Sequence, residues 1–314
     1  MTKKTRVLLT GSTGMVGRNL LENTALKNYN FLTPNEAELN LFQYEAVDAY
    51  LKTNKPDMII HAAGRVGGIQ ANIKYPVDFL VQNLDMGRNM IMAARANQIK
   101  KLLNFGSSCM YPRNAQNPLK EDQILQGELE PTNEGYALAK ITIARLCDYV
   151  SREDDSFYYK TIVPCNLYGR YDKFSPENSH LIPAIIRKVY EAVKSGDHDV
   201  EIWGDGEARR EFMYAGDLAD CISQLIGNIK ALPSVLNIGL GVDYTINQYY
   251  QTVAKVIGYK GTFKHDLNKP VGMARKLVDV SKLTSLGWQY KTSLESGIEK
   301  TVQYFIENES RVNK

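Results

Sequence analysis

The order of elements in this chain predicts an α/β protein: a Rossmann-type, doubly wound parallel sheet with a smaller C-terminal lobe. Three observations predict it. Short apolar runs alternate with longer stretches of helical periodicity through the first half of the chain. The first run, Arg6-Val7-Leu8-Leu9-Thr10, stops at a glycine loop that opens a helix. Beyond residue 165 the alternation loosens, broken by Gly169, Pro176, Pro183, Gly196, Gly204, Gly206 and Gly216.

The glycine loop reads Gly11-Ser12-Thr13-Gly14-Met15-Val16-Gly17, and Arg18-Asn19-Leu20-Leu21-Glu22 continues it as a helix. Strand, loop and helix N-terminus in that order form a pyrophosphate cradle, because glycine lets the backbone approach and the helix end presents free N–H groups. A second strand is expected at Asn30-Phe31-Leu32-Thr33, a helix from Tyr44 to Thr53, and a third strand from Asp57 to Gly64. A long helical pattern covers roughly Pro76 to Ala96, and a fourth strand runs from Lys101 to Ser107. Thr132 or Asn133 can cap the next helix, which extends to about Val150, and a fifth strand follows at Tyr159-Lys160-Thr161-Ile162-Val163. Residues 1–165 are therefore read as a dinucleotide-binding domain. Residues 166–314 are read mainly as a substrate-binding lobe, with segments near 199–245 returning to the main sheet at Glu201-Ile202-Trp203 and Val235-Leu236-Asn237-Ile238. Ser293 to Asn308 alternates apolar and polar residues as a surface helix does.

Ligands of such sheets bind beyond the carboxyl ends of the strands, where Ser107 falls. Cys109 points the same way if the chain stays extended. Tyr136 and Lys140 lie four apart, on one face of a helix. An ammonium beneath a phenol favours its ionised form and lowers a pKa that is otherwise about 10. Such a phenol can protonate a ketone oxygen as hydride reaches the carbon, while Ser107 holds that oxygen. The spacing alone is weak evidence, since Tyr190 and Lys194 repeat it in a stretch that reads as a solvated helix face.

The bulk properties narrow the class. A net charge of +3 over 314 residues, with no basic tract, argues against nucleic acid as a partner. No apolar run reaches transmembrane length, and the run before Gly11 is too short for a signal-peptide core. Cys109, Cys147, Cys165 and Cys221 are widely spaced and the four histidines show no ligand spacing. The expectation is a cytoplasmic protein with reduced thiols, no metal and no membrane association.

Taken together, the glycine loop, Ser107, Tyr136 and Lys140 resemble the extended short-chain dehydrogenase/reductases that act on nucleotide sugars. Gly14-Met15-Val16-Gly17, Val66-Gly67-Gly68-Ile69, Ser107-Ser108-Cys109-Met110-Tyr111-Pro112, Asn166-Leu167-Tyr168-Gly169, Asn178-Ser179-His180-Leu181-Ile182-Pro183 and Arg210-Glu211-Phe212 resemble the GDP-L-fucose synthase family over nearly the whole chain. The resemblance implies epimerisation of carbons 3 and 5 of a GDP-4-keto-6-deoxy-mannose and reduction of carbon 4 with NADPH. One polarised ketone serves both steps, because it acidifies the hydrogens on its neighbouring carbons. The resemblance assigns proton exchange to Cys109 and His180. It places the cofactor on Gly11 to Gly17, Asn40, Leu41, Ala62, Ala63, Gly64, Tyr136, Lys140 and His180. It places the GDP-sugar on Ser108, Lys188, Trp203, Arg210 and Lys276, with cations for the diphosphate and an indole for packing. It also implies a homodimer, formed by the helices around 76–96 and 133–150.

Three segments depart from the family. NADP-dependent members often carry an arginine after the second strand, where this chain has Glu36, which repels a 2′-phosphate that it faces; NADPH rests on the resemblance, and NADH stays open. Gly169-Arg170-Tyr171-Asp172-Lys173-Phe174 and Lys269-Pro270-Val271-Gly272 also differ from the family pattern, in segments expected to shape the sugar pocket. A C4 reductase acting on a related GDP-4-keto sugar, such as a heptose, without epimerisation is therefore the alternative. A dehydratase of this fold has an acidic pair where Ser108 and Cys109 stand, a 4-epimerase consumes no reductant, and a cofactor sensor loses the Tyr or the Lys that this chain keeps.

Overall fold

The computed structural model describes residues 4–175, 179–269 and 272–309. Pro176, Asn178, Pro270 and Val271, which figured in the reading above, lie outside the described residues. Through the first half the elements are β1 (Arg6–Thr10), α1 (Met15–Glu22), β2 (Asn30–Leu32), α2 (Tyr44–Asn54), β3 (Met58–His61), α3 (Ile69–Lys74), α4 (Pro76–Ala96), β4 (Lys101–Phe105), α5 (Glu134–Glu153) and β5 (Tyr158–Pro164). Next come β6 (Asn166–Tyr168), α6 (Leu181–Ser195), β7 (Asp199–Trp203), β8 (Arg209–Arg210), β9 (Phe212–Tyr214), α7 (Ala215–Leu225) and β10 (Val235–Ile238). The chain closes with β11 (Tyr244–Thr245), α8 (Ile246–Ile257), β12 (Thr262–Asp266), β13 (Arg275–Lys276), α9 (Ser281–Ser285) and α10 (Leu294–Glu307).

Six parallel strands form the main sheet in the order β10-β5-β4-β3-β1-β2. Its strands bury both faces, which is why they read as short unbroken apolar runs. Val7, Leu9, Ile60 and Leu103 pack on one side with Leu218 and Ile222 of α7. Leu8, Ile59 and Leu102 face the other way, against Val47 of α2, Met90 and Ile91 of α4, and Ile143 of α5. A separate core holds the second lobe, where Ile185 and Val189 of α6, Ile202 of β7, Tyr249 of α8 and Phe305 of α10 meet.

Of the two segments expected to return to the main sheet, Val235–Ile238 does so as the edge strand beside β5. Asp199–Trp203 does not: β7 pairs in parallel with β12, outside the main sheet. Its exposure alternates strictly along the strand, the mark of a ribbon with one covered face rather than of a strand inside a doubly wound sheet.

Candidate active site

A cavity of about 1120 Å³ runs across the carboxyl ends of the strands, from the loop after β1 to the lobe carried by α6 and β13. One end is the glycine loop. Gly11 has φ +71°, and a Cβ there would come within 2.9 Å of the backbone of Ala62 and Ala63. At Gly17, a Cβ would lie 2.3 Å from the Gly11 oxygen. Glycine at both points lets α1 start flush against β1, with Gly14 at its N-cap. Gly11 to Val16, Leu41, Ala62, Ala63 and Gly64 line the cavity; Gly17 is buried beneath the loop, and Asn40 is not in the wall. The cradle fits a dinucleotide: open backbone, a helix N-terminus, and walls on both sides. Arg18 and Glu36 line the same end, a cation and a carboxylate on one wall.

The cradle is braced from below by a group that the sequence did not single out. His61 at the end of β3 is buried and bonds through Nδ1 to Thr10 Oγ1, 2.9 Å away, and Thr10 Oγ1 accepts from Ala63 N at 3.3 Å. Burial, with Lys140 nearby, pushes the imidazole down to about 3, so it stays neutral.

In the middle of the cavity Ser107, Cys109, Tyr136 and Lys140 come together. The chain does not stay extended after β4: Ser108–Met110 form a turn of 3₁₀-helix whose cap is Ser107, with Oγ accepting from Cys109 N at 3.2 Å. The turn buries Ser108 and keeps Cys109 on the cavity wall. Lys140 lies one helical turn from Tyr136, with Nζ 5.8 Å from the ring centroid, and donates to the Phe105 carbonyl at 2.9 Å. Burial pulls this ammonium down to about 8.

The expected lowering of the Tyr136 phenol does not appear in this geometry. Burial raises it, the neighbouring Cys109 raises it further, and a hydrogen bond with Ser107 pulls back only in part. The phenol therefore holds its proton, the form that a donor to a ketone oxygen requires. The lysine's charge becomes useful once that proton leaves.

Cys109 accepts two hydrogen bonds at sulfur, from Asn133 Nδ2 at 3.4 Å and from Lys276 Nζ at 3.5 Å. Neither residue plays only the part expected of it. Asn133 sits at the N-cap of α5, but its side chain makes no capping bond and turns to the thiol instead. Lys276, expected at the diphosphate, reaches the middle of the cavity. His180 stands at the N-cap position of α6 without a side-chain capping bond and lines the cavity; its Nδ1 is buried without a partner among the described residues. Burial, then the nearby Lys173, holds the ring below the usual imidazole range.

Beyond Lys276 the cavity is lined by Arg210 and Met273, and nearer the glycine loop by Tyr171, Asp172 and Tyr304. Asp172 was not foreseen as a site residue: it is buried, one carboxylate oxygen has no partner among the described residues, and burial pushes it up to about 7. Lys188 and Trp203 stand outside the cavity wall, with the Lys188 and Lys269 ammonium groups 5.8 and 5.5 Å from the centre of the indole. The second Tyr-x-x-x-Lys pair is capped off by Glu309, which accepts from Tyr190 at 3.0 Å and Lys194 at 2.8 Å. Among the described residues no group of acids, histidines and cysteines could hold a metal, and no helix is long and apolar enough to cross a membrane.

Residues 7–239 match the model of the NAD dependent epimerase/dehydratase family. The chain belongs to that family. Within it the likeness is to GDP-sugar synthases. The chain is 59% identical to the GDP-L-colitose synthase of Yersinia pseudotuberculosis, over 96% of this chain and 98% of that one. It is 43% identical to the GDP-L-fucose synthase of Escherichia coli K12, over 98% of both. Among solved structures, a GDP-mannoheptose C4 reductase from Campylobacter jejuni with NADP bound superposes with a TM-score of 0.87 at 32% identity, covering 98% of this chain and 99% of that one. The fold class and family read from the sequence agree with these likenesses.

Proposed function

We propose that this protein reduces the C4 ketone of a GDP-linked 4-keto sugar with NADPH and, in the same cavity, epimerises the carbons beside that ketone, as GDP-L-fucose synthases do. The observation that carries this reading is that Ser107, Tyr136, Lys140, Cys109 and His180 all line one cavity continuous with the glycine loop. NADPH, held along Gly11 to Val16, supplies the hydride for carbon 4. The chain's own groups supply everything else. Ser107 and the protonated Tyr136 hold the ketone oxygen and give it a proton, and the buried Lys140 charge balances the phenolate left behind. Earlier in the cycle the same contacts stabilise the negative oxygen formed when a neighbouring carbon loses its proton. Cys109 takes such a proton. His180 returns one, since a buried imidazolium is a stronger acid than an exposed one.

The division into a dinucleotide-binding part, 1–165, and a mainly substrate-binding part, 166–314, follows the same logic. So does the placing of the guanosine diphosphate on Arg210, with Lys188 and Trp203 beyond the wall. We further infer a cytoplasmic homodimer. Val77 and Val81 of α4 and Leu138 and Tyr149 of α5 expose apolar side chains on the two helices expected to form the bundle.

A second reading, C4 reduction of a heptose without epimerisation, is favoured by the likeness to the Campylobacter reductase. Absorbance loss of NADPH with GDP-4-keto-6-deoxy-mannose and with a GDP-4-keto-heptose separates the two. The main reading expects turnover of the first and its near abolition by Tyr136→Phe. Turnover of the heptose alone would overturn it.

A further inference from the structure

Lys276 reaches Cys109 because of a small parallel pairing in which its own strand takes part, far from Cys109 in sequence. In β13 and β8, Arg275 is opposite Arg209 and Lys276 is opposite Arg210. Successive strand residues face opposite ways. On one face both arginines grip Asp243: Arg209 Nε lies 2.8 Å from Oδ1, and Arg275 Nε 2.5 Å from Oδ2. The Asp243 side chain is only 3% exposed. Burial alone would raise its carboxyl, but Arg275 and Arg209 outweigh that and hold it below the ordinary range. With the register fixed in this way, Lys276 turns to the other face and into the cavity. Its Nζ and the Asn133 amide then converge on one sulfur atom.

We propose that Lys276 is a positioning residue for the proton exchange, the charge partner of Cys109 rather than a ligand of the diphosphate. In the step it serves, the C–H bond beside the ketone breaks, the proton passes to Cys109 Sγ, and the electron pair moves to the ketone oxygen. Lys276 gives up no proton. Its ammonium and the Asn133 N–H group both donate to the sulfur, holding it at the place where the proton is taken and setting a positive charge beside it. Tyr136, the titratable group facing the sulfur from α5, is neutral and does not compete for that role. The proposal rests on the assignment of Cys109 as proton acceptor in the preceding subsection.

The test needs no sugar. Cys147, Cys165 and Cys221 are buried, so iodoacetamide applied to the folded, full-length protein at pH 7.5 reads Cys109, with Cys109→Ser as background. Lys276→Met is expected to slow alkylation about tenfold, the effect of removing a positive charge within hydrogen-bond reach of a thiolate, with Lys276→Arg keeping most of the rate. GDP affinity, measured by calorimetry, is expected to change less than about threefold, under 1 kcal/mol. If Lys276→Met does not fold, Lys276→Gln is read in the same way. Unchanged alkylation with weakened GDP binding would overturn the proposal and return Lys276 to the diphosphate. Fast alkylation that depends on Lys276, in a protein that turns over no GDP-4-keto sugar, would instead sink the functional reading and leave the ion pair standing.

Discussion

Replacing Gly17 by alanine separates what the glycine loop does for the fold from what it does for the cofactor. The new Cβ would lie 2.3 Å from the Gly11 oxygen and 2.6 Å from Ser12 Cα, all backbone atoms that cannot rotate away. To open that gap to an ordinary 3.4 Å, α1 must move about 1 Å off the end of β1. Overpacking of this kind costs about 1–3 kcal/mol, only partly offset by alanine's better helix propensity. At about 2.1 cal/mol/K per residue, a loss of about 2 kcal/mol lowers the melting temperature of this 314-residue chain by roughly 3 °C. Gly14→Ala is the control. Its Cβ meets only the Gly11 oxygen at 3.5 Å, and its φ of −79° suits any residue. It should melt within about 1 °C of the parent, yet bind NADPH about tenfold more weakly, because its methyl stands where the backbone must approach the pyrophosphate. Calorimetric melting and fluorescence titration of NADPH check both. Equal melting losses in the two variants, or parental NADPH affinity in Gly14→Ala, would contradict these roles for the two glycines.

The remaining predictions concern charge. Lys140 is held down to about 8, so its ammonium is present below that pH and lost above it; the rate of ketone reduction should fall as pH rises through about 8, and a flat profile to pH 9.5 would count against the lysine's role. Asp243→Asn removes the shared partner of Arg209 and Arg275 and should destabilise the protein by about 1–3 kcal/mol at pH 7 by denaturant titration. The sign follows from the depressed carboxyl: its contribution is present above the unfolded value of about 4 and is lost as pH falls through the lower folded value, so parent and variant should converge in acid. The same variant should slow Cys109 alkylation, because the register that aims Lys276 is loosened.

What was legible in the sequence was whatever local chemistry decides. Strands β1, β3, β4 and β5 are apolar because both their faces are covered, and the loop from Gly11 to Gly17 announces itself by sterics. The Tyr136 and Lys140 pair was visible too, although only the fold distinguishes it from Tyr190 and Lys194, whose helix face is tied to Glu309. The rest depended on distant partners. Glu201-Ile202-Trp203 reads as a strand in any sheet, and its neighbour, Thr262–Asp266, comes much later in the chain. Asn133 has the right identity and place for a helix cap, yet its amide turns so that Nδ2 donates to Cys109 and Oδ1 meets no partner among the described residues. Lys276 is one cation among many until β8 fixes its direction. Asp172 carried no signal beyond its place in a segment that departs from the family pattern on either side of it, and its burial comes from packing.

In the mechanism proposed above, one cavity both moves protons beside the ketone and reduces it. The most direct measurement is turnover of GDP-4-keto-6-deoxy-mannose with NADPH in heavy water, reading the product by mass and NMR, for the parent and for Cys109→Ser. Deuterium is expected at carbons 3 and 5 of the parent's product, with that exchange lost in Cys109→Ser and reduction of a pre-epimerised substrate less affected. Reduction by the parent with no deuterium at either carbon would contradict it.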